Sequence, residues 1–123
     1  MNFRLKTSKY TAEQLKQLQT STNLTPNVLA RLAVGLSLGG APLDVDELPD
    51  TNGIEFNRHT LTGDYDFAFK ALIAQDLGKE ITDDEFFPNL FNLHMERGIQ
   101  LLSNEYKFAG NAEKFLTNLI KRV

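Results

Sequence analysis

A mainly α-helical fold that opens on one short strand is what this sequence predicts. Three observations predict it. Apolar and polar residues alternate over residues 2 to 8, the period of a strand with one buried face. Apolar residues at helical spacing then follow capping signals in several successive stretches. Glycine and proline punctuate those stretches at the places where helices must stop. A chain of 123 residues falls within the range of one domain and buries one modest core. Its organisation reads as a ribbon-helix-helix-like unit over 1–40, an acidic loop over 41–63 and a helical part over 64–123.

In the first segment Phe3, Leu5 and Thr7 face one way, and Asn2, Arg4, Lys6 and Ser8 the other. Thr11 and Gln14 have capping-box spacing ahead of a helix carrying Leu15 and Leu18. That helix is expected to end near Ser21 to Asn23. Thr25 then caps a second helix with Pro26 at its first position, where the missing N–H costs nothing. Val28, Leu29, Leu32, Ala33 and Leu36 supply its stripe, and Gly39-Gly40 stops it. A lone strand is unstable in water. The simplest partner is the same strand of a second copy, so an oligomeric helical assembly is expected.

Pro42, Pro49 and Gly53 mark the loop. Helix formers return at Asp64, and Tyr65, Phe67, Phe69, Leu72, Ile73 and Leu77 predict a helix buried all round. Thr82 and Glu85 make another capping box, and Pro88 is expected to open the main helix. Phe87, Phe91, Met95, Leu102 and Tyr106 form its stripe, with Gly98 allowing a close approach. Asn111 opens a last helix with Phe115, Leu116, Leu119 and Ile120 inward, and Lys121-Arg122 complement its C-terminal dipole.

The net charge of −3 conceals segregation. Residues 1 to 40 hold five bases against Glu13 alone, 41 to 87 hold three against twelve acids, and 88 to 123 hold five against three. One surface can therefore face a polyanion and another a basic protein. The basic candidates are Arg4, Lys6, Lys9, Lys16 and Arg31, because a two-stranded ribbon fits the major groove and lysines nearby neutralise phosphates. The bland alternative is an edge strand kept soluble by charge.

The polar block EFNRHTLTGDYD gathers Glu55, Asn57, Arg58, His59 and Asp64. No nucleophile motif or phosphate-binding glycine loop accompanies it. Asn57 and Asp64 are turn and cap formers, and Arg58 can pair with a local acid, so architecture or partner docking is favoured over catalysis. Two histidines, His59 and His94, give at most an incomplete metal-ligand set, and His94 reads as a hydrogen-bonded interior or interface residue. No catalytic residue, metal or cofactor is assigned. The chain contains no cysteine, its N-terminus lacks the apolar core of a signal peptide, and no apolar run approaches the roughly 18 residues of a membrane span. A cytoplasmic protein without membrane contact is the expectation.

The blocks LTPNVLARLAVGLSL, EFNRHTLTGDYDFAFKAL and LHMERGIQLL resemble the DndE family of the DNA phosphorothioation system. That system replaces a non-bridging phosphate oxygen of DNA with sulfur. Its cysteine desulfurase, the iron–sulfur protein DndC and the ATPase DndD supply the redox and nucleotide chemistry. The resemblance implies an all-α homotetramer that prefers nicked duplex DNA, binds it through surface lysines, and performs no catalytic step. An accessory subunit that docks with DndC and DndD follows from it. The alternatives are a ribbon-helix-helix repressor, or a small metal-dependent nicking enzyme using acids within 44–50.

Overall fold

The strand β1 (Arg4–Lys6) finds its partner within its own chain. In the computed structural model, which describes residues 2–121, it pairs antiparallel with β2 (Glu55–Asn57). Arg4 lies opposite Asn57, Leu5 opposite Phe56 and Lys6 opposite Glu55. Leu5 and Phe56 point into the core. Flanking bonds extend the pairing: Thr7 N–H to the Ile54 carbonyl at 2.9 Å, Gly53 N–H to Thr7 at 2.9 Å, and Arg58 N–H to Phe3 at 2.8 Å. The expectation that the same strand of a second copy is the simplest partner is thereby corrected. The segment 41–63, expected as loop, likewise contains β2 and a helical turn, α3 (Arg58–Thr62). At three residues, and without the longer alternating run that marks β1, β2 is too short for periodicity to reveal.

Helix α1 (Lys9–Thr22) is capped by Ser8, whose hydroxyl accepts the Thr11 N–H at 3.0 Å. The expected Thr11–Gln14 box does not form. The Thr11 hydroxyl donates instead to the Glu96 carboxylate, and Gln14 accepts from Ser103 at 3.0 Å. Helix α2 (Pro26–Ser37) starts as expected, on Thr25 with Pro26 behind it. Its buried face is Leu29, Ala30, Ala33, Val34 and Ser37, with Leu32 and Leu36 on the flank.

A 3₁₀ turn (Gly63–Tyr65) precedes α4 (Asp66–Leu77), which therefore starts beyond Asp64. Burial all round is wrong for α4: Ile73 is its one fully buried residue, and Phe67 is 83% exposed, with Tyr65, Leu72 and Leu77 also open. A helix added to one face of a single core buries one stripe, and nothing among the described residues covers the other.

The Thr82–Glu85 box forms reciprocally, at 2.9 and 3.1 Å. A wide turn (Glu85–Leu90) with Phe87 extended and a cis Phe87–Pro88 bond follows, so the main helix α5 (Phe91–Ala109) begins at Phe91 rather than Pro88. Phe87, Phe91, Met95 and Leu102 are fully buried. At Gly98 a Cβ atom would stand 1.7 Å from the Ala33 carbonyl oxygen, so α2 and α5 touch backbone to backbone. Helix α6 (Ala112–Lys121) begins on Asn111, which accepts the Lys114 N–H at 2.9 Å. Phe115 is buried and Leu119 packs beside it, but Leu116 and Ile120, expected inward, are exposed. The expected role of Arg122 lies outside the described residues. No helix among the described residues is long and apolar enough to cross a membrane.

Candidate nucleic-acid interface

Four of the five basic candidates, Arg4, Lys6, Lys9 and Lys16, lie along one strand–turn–helix path whose junction is anchored from below. Glu96 of α5 accepts the Ser8 N–H at 2.8 Å and the Ser8 hydroxyl at 2.7 Å, fixing the start of α1 to the core. Beside it the loop backbone presses in at Gly53, where a Cβ would lie 2.2 Å from the Ser8 carbonyl oxygen. Asp50 then accepts the Lys9 N–H at 3.0 Å and the Asn52 N–H at 3.1 Å. These two backbone bonds, Lys9's first, hold its carboxyl below the usual carboxylate range.

On this frame Arg4, Lys6, Lys9 and Lys16 are all exposed. Lys9 and Lys16 stand two turns apart on α1 and line one groove, floored by Ala12, Leu15, Pro26 and Ile54. The outer face of the ribbon is mixed. Arg4 pairs with Glu55 at 3.2 Å, both side chains well exposed, and Asn57 lies opposite Arg4. An exposed pair of this kind contributes little stability, so Arg4 is free to exchange Glu55 for a phosphate. Arg31 stands apart: it is half-buried and donates to the Thr60 and Leu61 carbonyls at 3.2 and 2.9 Å.

The polar block sorts into distinct tasks. Asn57 caps α3, accepting the His59 N–H at 2.9 Å. The exposed His59 ring packs on Phe3, with centroids 5.4 Å apart, and Asp64 lies exposed in the 3₁₀ turn. Arg58 is buried, and all five of its N–H groups are engaged. It reaches Asp66 at 2.8 and 3.0 Å, Asp83 at 2.9 and 2.7 Å, and the Asn2 carbonyl at 3.3 Å. Its guanidinium also lies over Phe87 and Phe86, at 5.0 and 5.3 Å from the ring centroids. The Asp83 and Asp66 bonds push the Arg58 pKa further up, and both carboxyls are held below their ordinary values by the same bonds. Arg58 thus ties α3, the start of α4 and the 82–87 turn together. Of the acids near His59 in sequence, Asp66 is committed to Arg58 and Glu55 pairs with Arg4.

His94 is buried in a second network. Arg97 donates to the Ser37 hydroxyl oxygen at 2.9 Å, and that hydroxyl lies 2.8 Å from His94 Nδ1. Nδ1 of the ring thus faces Ser37, and Nε2 faces Asp76 at 3.7 Å. Asp76 also accepts the Gly39 N–H at 2.8 Å. Burial holds the His94 pKa below the usual value, Asp76 opposes that, and Arg97 adds to it. Serine, histidine and aspartate in this order imitate a catalytic relay, but Ser37 has no exposed surface. Sequence reading missed Ser37, Asp76, Asp83, Glu96 and Arg97, because each is a polar residue whose partner lies far along the chain. Among the described residues no group of three or more acids and histidines is placed to hold a metal.

The sequence profile described as DNA sulphur modification protein DndE matches residues 4–110. The crystal structure of DndE from Escherichia coli B7A, involved in DNA phosphorothioation modification, superposes with a TM-score of 0.68 at 24% identity, covering 83% of this chain and 97% of that one. A glycine-to-lysine mutant of DndE, involved in DNA phosphorothioation, matches with a TM-score of 0.66 at 22% identity, over 82% and 97% of the two chains. No curated protein sequence matches. At those identities the structures show a shared fold, and the family assignment rests on the profile. The profile runs from β1 through α5 and takes in Arg58, His94 and the Ala33–Gly98 crossing; the chain therefore belongs to the DndE family of DNA sulphur modification proteins.

Proposed function

We propose that this protein is the non-catalytic DNA-binding subunit of the phosphorothioation machinery. It engages duplex DNA, nicked duplex above intact, and docks with DndC and DndD while assembled as a homotetramer. The observation that carries the reading is the exposed run Arg4, Lys6, Lys9 and Lys16 on one contiguous strand and helix. Phosphate binding of this kind releases counterions and carries no base identity, so it is salt-dependent and tolerant of sequence. A nick adds a hinge, which favours a surface that needs bent DNA.

Three further features support the reading. Sulfur chemistry needs thiolates or clusters, and a chain with no cysteine leaves it to other subunits. The loop exposes Asp44, Asp46 and Glu47 around Val45 and Leu48, an acidic apolar surface that repels DNA and suits a basic protein partner. The open stripe of α4, centred on Phe67, suits self-association.

The test is nicked-duplex binding by the variant R4A/K6A/K9A/K16A across a salt series, after circular dichroism shows that it folds. The log–log salt slope should flatten by about 0.9 for each phosphate that is no longer neutralised, equally on different sequences. An unchanged affinity and slope would move the DNA surface away from the N-terminal segment.

A further inference from the structure

The far end of the molecule carries a second groove that the surface just described does not use. The family match ends at residue 110, so α6 lies beyond it. Its buried anchor is Phe115, whose ring meets Tyr106 edge-on at 5.5 Å. Between α5 and α6 opens a groove of about 690 Å³, walled by Asn104, Glu105 and Phe108 on one side and by Asn118 and Lys121 on the other. Lys114 shares the helical stripe of Asn118 and Lys121 and is exposed.

Phe108 is 87% exposed, the barest large apolar side chain among the described residues. Its ring has an open face, amides stand on both walls, and a lysine row runs along one rim. A stacked duplex offers no base face to such a ring, whereas an unpaired base does. Lys114 and Lys121 stand about 10 Å apart along the helix axis, a spacing suited to separate phosphates of an extended strand. Glu105 in the same groove tempers the positive field, which suits a short stretch of strand rather than the dense charge of a duplex.

We propose that the α5–α6 groove binds a short unpaired stretch of DNA, with one base stacked on Phe108, base edges on Asn104 and Asn118, and phosphates on Lys114 and Lys121. This rests on the preceding reading only in taking DNA as the polymer. The test is fluorescence anisotropy of a labelled oligothymidylate of about ten nucleotides with the full chain and three variants: F108A, K114Q/K121Q and R4A/K6A/K9A/K16A. F108A should weaken oligothymidylate binding by about tenfold or more and leave intact-duplex binding unchanged. K114Q/K121Q should flatten the single-strand salt slope by about 1.4, or roughly 0.7 for each phosphate. The N-terminal variant should keep its oligothymidylate affinity. If duplex binding proves independent of the N-terminal cations while the F108A loss stands, the duplex surface is wrong and the groove survives. The groove proposal falls if the parent protein does not bind oligothymidylate, or if F108A binds it as well as the parent. It also falls if F108A changes the assembly mass at unchanged oligothymidylate affinity, which would mark the groove as a protein contact.

Discussion

Replacing Gly98 by alanine should damage this fold more than any surface change of similar size. The new methyl carbon would lie 1.7 Å from the Ala33 carbonyl oxygen and 2.3 Å from the Ala33 carbonyl carbon. Ordinary contact there needs about 3.4 Å or more, and a backbone atom cannot rotate away as a side chain can. Helices α2 and α5 must therefore part by roughly 1.7 Å, loosening Leu29, Ala30 and Val34 from Met95, Ile99 and Leu102, all fully buried. Overpacking of this kind costs about 1–3 kcal/mol, and about 4 kcal/mol is expected where backbone must move, while alanine's helix propensity returns about 1 kcal/mol. A net loss of about 3 kcal/mol is expected, a large share of the roughly 5–15 kcal/mol such domains possess. With a slope of about 2 kcal/mol per molar urea, the unfolding midpoint followed by circular dichroism should drop by about 1.5 M. Gly35→Ala is the control, because nothing lies within 4 Å of its added Cβ. It should be neutral or slightly stabilising. A G98A protein as stable as the parent would refute the backbone contact and the crossing built on it.

Removing the Arg58 side chain in R58A should cost about 3–5 kcal/mol in urea unfolding, since it leaves Asp66 and Asp83 facing each other without their cation. Both carboxyls are held below their ordinary values when folded, so the stability they contribute is present above about pH 4 and lost as pH falls through their folded values. R58A should flatten that acid limb, and an unaltered limb would place the acid sensitivity elsewhere. His94 acts in a separate window: a buried imidazole with a lowered pKa binds fewer protons folded than unfolded, so stability should begin to decline below about pH 6.5. H94Q should remove the decline that sets in below about pH 6.5, and its persistence would exonerate the network of Ser37, Asp76 and Arg97. In the proposed tetramer, Phe67→Glu, at a site 83% exposed in the single chain, should lower the assembly mass in light scattering while preserving the helical dichroism. An unchanged mass would remove the α4 face from the proposed self-association.

Local rules were legible where cause and effect sit within a few residues. Thr25 with Pro26, Thr82 with Glu85, Asn57 and Asn111 all cap as their spacing implies. The close approach at Gly98 was also readable, because a glycine inside an apolar stripe has few other uses. His94 was recognisable as interior and Arg58 as a pairing residue, though not the partners of either. The partner acid Asp83 and the ring floor of Phe86 and Phe87 lie some 25 residues from Arg58, beyond any periodic signal.

A mainly helical chain, the cap of α2, the apolar stripes of α1 and α5, the charge segregation and the family were all readable from residue order. Tertiary structure decided that β1 pairs with β2, that Ser8 rather than Thr11 caps α1, and that Arg31 is bound to α3 while Arg4, Lys6, Lys9 and Lys16 stay in solvent. It also decided that α4 shows an apolar face outward. Capping and periodicity are contests among neighbours, settled by backbone geometry over one or two turns. Strand partners, ion pairs and exposure depend on which distant segment reaches a surface first, and only the packed core settles that.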